Sequence, residues 1–403
     1  MKPEIKKRIE QIKNGKIPKG YKKTKVGIIP NDWIEKKIND WIELKERNIS
    51  LEDENIYKLV TVRRSFSGVD YRGSYKGKDI LVKNYIKVHE NDFLISKRQI
   101  AHGACGIVPK FLNNAVVSNE YNVFEAKNNT DIKMFNLIMQ LPYYKRLFYL
   151  MSDGVHIEKL LFKTNHWLKQ KLVMPPIEEQ QKIAEILTAQ DKLIELKEKL
   201  ITEKERQKKY LMQQLLTGKK RLKDFSCEWK KVKLGEICDI IKGEQLNKNT
   251  LNDTGKYYVL NGGITPSGFT NNWNTEANII SISEGGNSCG FVNYNIEKFW
   301  SGGHCYTLQN LSKSITTLYL YSYLKAYEYI IMSLRVGSGL PNIQKNSILK
   351  FKILLPPLDE QNAIAEILSK ADKEIELLKQ DLEQEKLKKK ALMQLLLTGI
   401  VRV

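Results

Sequence analysis

Val173-Met174-Pro175-Pro176-Ile177-Glu178-Glu179-Gln180 recurs 181 residues later as Leu354-Leu355-Pro356-Pro357-Leu358-Asp359-Glu360-Gln361. The likeness runs on. Ile183-Ala184-Glu185-Ile186-Leu187 returns unchanged as Ile364-Ala365-Glu366-Ile367-Leu368, and Leu215-Leu216-Thr217-Gly218 as Leu396-Leu397-Thr398-Gly399. Residues 173–222 match 354–403 at 24 of 50 positions without a gap. A repeat of this length makes the chain two copies of one plan.

Each copy reads as one long helix. The paired prolines close the preceding strand and open the helix, where their missing N–H costs nothing. Acidic residues follow at the N-terminus, and Gly218 and Gly399 stand where a helix stops. Inside, apolar residues recur at 4-3 spacing. The first stripe is Ile183, Leu187, Ile194, Ile201, Leu211 and Leu215; the second is Ile364, Leu368, Ile375, Leu378, Leu382, Leu392 and Leu396. A coiled coil uses such a stripe, and two copies in one chain supply each other's partner. Packing of each helix on its own domain is the other use.

The helices alternate with two blocks rich in Tyr, Asn, Gly and β-branched residues. Runs such as Leu59–Val62, Asp92–Ser96 and Asn278–Ser281 predict strands, and the stretch around Tyr319–Met332 predicts a helix. Each block opens on a tryptophan, Trp33 or Trp229, read here as core. The organisation expected is α+β: a basic arm over 1–30, strand-rich domains over 31–172 and 219–353, and helical regions over 173–218 and 354–403. The two domains would be related by a pseudo-twofold repeat, with the two long helices as an antiparallel coiled coil.

Charge says what the domains are for. The chain carries a formal net charge of +20. Residues 1–177 hold +14 and residues 217–358 hold +7, while the helices are close to neutral. Basic globules suit phosphates and balanced helices suit protein contact. A coiled-coil scaffold whose globules bind protein or carbohydrate would not need that partition. The five cysteines are irregularly spaced, which points to reduced thiols and a cytoplasmic protein. No metal site, apolar leader or membrane span is expected.

Catalytic motifs are missing. An amino-methyltransferase would carry Asn/Asp-Pro-Pro-aromatic, but Met174-Pro175-Pro176-Ile177 and Leu355-Pro356-Pro357-Leu358 lack both flanks. No glycine-rich nucleotide loop is present. The chain is expected to bind and not to catalyse.

The doubled Pro-Pro-x-x-Glu-Gln helix ending in Leu-Leu-Thr-Gly, alternating with globules, resembles the specificity subunits of Type I restriction–modification systems over essentially the whole chain. The lead-in Gly20–Trp33 is also similar. The resemblance implies two target-recognition domains held apart on antiparallel helices, and double-stranded DNA as the ligand. It implies two modification (adenine methyltransferase) subunits and restriction (translocase/nuclease) subunits as partners. S-adenosylmethionine, ATP and Mg would belong to those partners, with no cofactor in this chain. A related system that cuts at a fixed distance, or a solitary modification complex, would use the same kind of subunit. The globules carry different phrases, Gly103–Pro109 in one and Glu284–Gly290 with Gly339–Ile343 in the other. Different readers imply an asymmetric bipartite target.

Base readers are polar or cationic residues on loops. The candidates in the first globule are Arg63, Arg64, Lys97, Arg98, Gln99, His102 and Asn119. In the second they are Asn261, Ser283, Asn287, Ser288, His304, Arg335 and Asn342.

Overall fold

A computed structural model describes residues 3–24, 26–154, 160–337, 339 and 341–403. Lys25 of the lead-in phrase and Leu340 of the Gly339–Ile343 phrase lie outside the described residues. The chain divides into two compact units, Met1–Leu196 with Glu383–Val403, and Lys197–Leu382. Each takes one globule and one stretch of both long helices.

In the first unit, strand Ile34–Lys37 pairs antiparallel with Lys171–Met174, so the globule opens and closes at one place. The next turn, Ile38–Asp40, is capped by its own Asp40, which accepts the Lys37 N–H at 2.9 Å. A four-stranded antiparallel sheet follows in the spatial order Cys105–Ile107, Phe93–Ser96, Tyr121–Ala126, Ile42–Leu44. All four residues of Phe93–Ser96 are buried, as a central strand covered on both faces requires. A second sheet has five strands in the order Asn48–Ser50, Asn84–Lys87, Val116–Ser118, Ile56–Val62, Val69–Lys76. The core gathers Trp33, Phe93, Phe124, Phe135, Phe148 and Trp167.

The second unit repeats the frame. Lys230–Lys233 pairs antiparallel with Lys352–Leu355, and Glu236 caps the following turn by accepting the Lys233 N–H at 3.1 Å. Its four-stranded sheet runs Val292–Asn295, Ile279–Ser283, Cys305–Gln309, Asp239–Lys242. A three-stranded sheet replaces the five-stranded one, in the order Phe269–Thr270, Tyr257–Leu260, Trp300–Ser301. The stretch expected to be one helix is two, Thr317–Ala326 and Glu328–Ser333, broken at Tyr327. Trp33 is 1% exposed and lies in the core, as read, whereas Trp229 is only half-buried.

The long helices are Ile177–Leu215 and Leu358–Leu396. In the first unit Asp191 pairs with Lys389 at 2.5 Å, and Gln190 donates to Glu385 at 2.6 Å. In the second, Lys204 pairs with Glu374 and Glu205 with Lys379, each at 2.6 Å, with Lys197–Asp381 and Lys208–Asp372 alongside. In the second unit numbers rise from Lys197 to Lys208 as they fall from Asp381 to Asp372, so the pairing there is antiparallel. Exposed ion pairs stabilise little and chiefly fix register.

The apolar stripe does the packing. Ile183, Leu187, Ile201, Leu215, Ile364, Leu368, Ile375, Leu382 and Leu396 are buried; Ile194, Leu211, Leu378 and Leu392 are half-buried. Both uses of the stripe occur. Near its proline end each helix enters its globule's core, Ile183 and Leu187 in one and Ile364 and Leu368 in the other. Farther along it pairs with the other helix.

Candidate nucleic-acid interface

The Glu-Gln of the repeated motif fastens each globule to its helix. In the first unit the Trp33 indole donates to Glu179 at 3.1 Å, and Arg402 reaches the same carboxylate at 2.6 Å and Asp32 at 2.7 Å. In the second, Trp229 donates to Glu360 at 2.9 Å and Arg221 at 2.6 Å. Those bonds hold both guanidiniums above their usual range, and Arg402 pulls Asp32 below the carboxylate range. The neighbouring glutamines act alike. Gln180 accepts from Asp131 N–H at 2.8 Å and donates to Pro175 O at 2.8 Å. Gln361 accepts from Thr316 N–H at 2.9 Å and donates to Pro356 O at 2.8 Å. The helix start, the tryptophan loop and the segment before the globule's helix thus form one rigid seam, which fixes the sheets that carry the loops.

Strand ends and loops hold the polar candidates of the first unit. The loop joining Ile56–Val62 to Val69–Lys76 docks on the turn after Phe93–Ser96. Ser65 N–H donates to His102 O at 2.7 Å, and Phe66 N–H to Gly103 O at 2.8 Å. Both Ser65 and Phe66 have φ of +58°. Such backbone is costly for L residues and persists only where its surroundings hold it. Here Phe66 packs against Gly103, where a Cβ would come 2.5 Å from the ring. The result places Arg63, Arg64, Gln99 and His102 on one loop pair. Arg63 is ion-paired to Asp70. Lys97 donates to Asn119 O at 2.5 Å, and Arg98 bonds Glu120 at 2.7 Å. Lys97 and Asn119 also line a cleft of about 600 Å³ with Lys163, Asn165 and His166. Those three were missed by sequence reading; only the polar run Lys163-Thr164-Asn165-His166 pointed to them.

In the second unit a polar cleft of about 550 Å³ brings together Asn261, Ser288, His304 and Asn342, with Lys242 and Glu284. Lys242 and Glu284 were not foreseen as site residues, although Glu284 opens the Glu284–Gly290 phrase. Ser283 is 5% exposed and donates to Gly262 O at 2.5 Å, so its hydroxyl serves the fold beneath the cleft. Ser288 also donates to Gly262 O, at 2.7 Å. Asn287 and Arg335 are exposed but do not line the cleft. Burial and the Glu284 contact push the Tyr306 phenol up, so it stays protonated and donates to Glu284 at 2.9 Å.

Among the described residues no group of three or more His, Cys, Asp or Glu could hold a metal ion. Cys105, Cys238, Cys289 and Cys305 are buried; burial pushes the Cys238 thiol up to about 12, far from a reactive thiolate. Among the described residues, no helix is long and apolar enough to cross a membrane. Exposed cations, amides and imidazoles on rigid loops are instead the groups that contact phosphates and base edges.

Comparison with known proteins agrees with that chemistry. The family model described as the Type I restriction modification DNA specificity domain matches twice, over residues 30–206 and 227–386. The two matches begin just before Trp33 and Trp229, so each covers a globule and its following helix. A type I specificity subunit assigned in Mycoplasma pneumoniae is 38% identical over 170 residues, which covers 42% of this chain and 45% of that protein. A type I restriction enzyme specificity subunit of Methanocaldococcus jannaschii is 26% identical over 93% of this chain and 94% of its own length. The solved S subunit of a Type I restriction–modification system from M. genitalium superposes with a TM-score of 0.65. It covers 90% of this chain and 96% of that one at 17% identity, a likeness of fold. The chain belongs to the Type I restriction–modification DNA specificity family, as a sequence-specificity subunit and not a catalytic one.

Proposed function

We propose that the chain reads an asymmetric bipartite site in double-stranded DNA, one half with each unit, and seats two methyltransferase subunits on that site. Restriction subunits join in a complex that also cuts. S-adenosylmethionine, ATP and Mg then belong to those partners, and the work is done in the cytoplasm.

One observation carries the reading. The two globules have the same four-stranded sheet and the same Trp–Glu–Arg seam, yet they present different loops. A common mount with different readers is what two different half-sites require. The exposed Leu193, Leu196, Leu200, Leu377 and Leu387 on the helices support a protein partner there.

The test is a domain exchange. Residues 225–353 are replaced by the corresponding domain of another specificity subunit, and the methylated motif is read by sequencing the DNA of cells carrying the complex. One half of the motif should change while the other stays. A motif altered in both halves would overturn the reading of one half by each unit.

A further inference from the structure

We propose that His304, its ring oriented by the buried carboxylate of Glu284, reads a base carrying an exocyclic amine, adenine or cytosine, in the major groove of the second half-site. The inference rests on the DNA-reading function above and names the chemistry of one of its contacts.

His304 is rigidly mounted and ends in solvent. Its N–H donates to Asn261 Oδ1 at 3.2 Å, and its C=O accepts the Glu284 N–H at 2.9 Å. Gly262 packs against it so closely that a Cβ there would come 2.9 Å from His304 O. The backbone is therefore clamped on three sides, while the side chain is 63% exposed. A fixed Cα with an exposed ring is the geometry of a reader.

Glu284 decides which ring nitrogen faces the DNA. Its Oε1 accepts from the Lys242 ammonium at 2.6 Å and from the Tyr306 hydroxyl at 2.9 Å. Its Oε2 is buried and has no hydrogen-bond partner, and His304 Nδ1 lies 3.5 Å from it. A buried acceptor left unpaired is costly, so a small turn of the ring toward Oε2 is favourable. A carboxylate can only accept. Nδ1 must then carry the proton of the neutral imidazole, which leaves Nε2 as an acceptor. In the major groove an acceptor finds its complement in adenine N6 or cytosine N4; guanine and thymine present oxygen acceptors instead. Asn261, Ser288 and Asn342 line the same cleft and confine the base edge that reaches the ring.

Two variants test this, expressed with the modification subunits and read by methylome sequencing. The wild-type chain first defines the second half-site, one position of which His304 specifies. His304→Ala should make that position degenerate, with about a tenfold loss of discrimination, and leave the first half-site intact. Glu284→Gln should do something a structural role would not. Lys242 and Tyr306 hold the amide oxygen in the place of Oε1, so the NH₂ faces Nδ1. The ring then takes the other tautomer, Nε2–H becomes a donor, and preference at that position moves toward guanine or thymine. If Glu284→Gln does not fold, His304→Ala decides alone, since its side chain is exposed. A wild-type motif that His304→Ala leaves unchanged would overturn this inference only. A wild-type complex that methylates no two-part motif would overturn the DNA-reading function, and this inference with it.

Discussion

In the first unit, Phe93–Ser96 lies between Cys105–Ile107 and Tyr121–Ala126; in the second, Ile279–Ser283 lies between Val292–Asn295 and Cys305–Gln309. Strand order, closing strand pair and capped turn coincide. The neighbouring sheets do not. One has five strands and includes the long hairpin of Ile56–Val62 with Val69–Lys76; the other has three short strands. The difference falls where the seam does not reach. Residues bonded to Glu179, Gln180, Glu360 or Gln361 are duplicated in space, while the loops above the sheets are free to diverge. Divergent loops on a fixed mount let specificity change without redesign of the fold.

The seam is where the comparison breaks hardest. Glu360 has a fully buried side chain and Glu179 one that is 6% exposed. Removing either takes away the acceptor that an arginine and an indole N–H share. We expect Glu360→Ala to cost about 3 kcal/mol, and Glu179→Ala somewhat less, because Arg402 keeps Asp32. Urea titration of the two variants measures this. Equal losses would mean that Asp32 contributes nothing.

The two helix-stop glycines come next. Gly399 has φ of +68°, and a Cβ there would come 2.5 Å from Pro30 Cδ. Gly218 has φ of +70°, but its Cβ would stay 3.5 Å from Trp229. Gly218→Ala should cost about 1 kcal/mol for the backbone alone. Gly399→Ala should cost more and lower the melting temperature further, because Pro30 must also move.

The surface supplies a smaller effect. Arg64→Ala should reduce the slope of log affinity against log salt by about 1. Ser283→Ala should do the reverse, leaving the slope alone and costing about 1 kcal/mol of stability. A salt titration of DNA binding by the whole complex separates the two roles. A slope that moved for Ser283→Ala would bring that hydroxyl back to the DNA.

Acid gives the smallest contrast. Arg402 lowers the Asp32 pKa in the folded chain. A lowered carboxylate contributes stability that is complete above its unfolded pKa of about 4 and is lost as pH falls through the folded value. Asp32 is half-exposed, so the contribution is a few tenths of a kcal/mol. Asp32→Asn should slightly flatten the acid limb of stability below about pH 4. The second unit has no counterpart at Glu228, since Arg221 bonds Cys227 O instead.

Much of the frame was legible. The Pro-Pro pairs, the acidic helix starts and the closing glycines placed both long helices within a few residues of Ile177–Leu215 and Leu358–Leu396. These are local signals, and their physics acts within one or two turns. Strands such as Ile279–Ser283 were legible from their apolar runs. The candidate sites were only half legible. Ser283, a polar residue at a strand end, read as a contact but turned inward to Gly262 O. Lys163 and His166 reach the Lys97 cleft from about seventy residues away in sequence.

The sequence by itself determined that the chain is a doubled α+β protein with balanced helices, basic globules and no catalytic motif. Periodicity, charge and spacing are properties of the chain and survive without a fold. Only the tertiary structure decided that Glu179 and Glu360 each hold a tryptophan from the start of a globule and an arginine beyond the end of the other long helix. Only it decided that Glu284 lies beneath His304. Those partners are brought together by chain reversals across 20 to more than 200 residues, and no local pattern records which buried carboxylate a distant donor will meet.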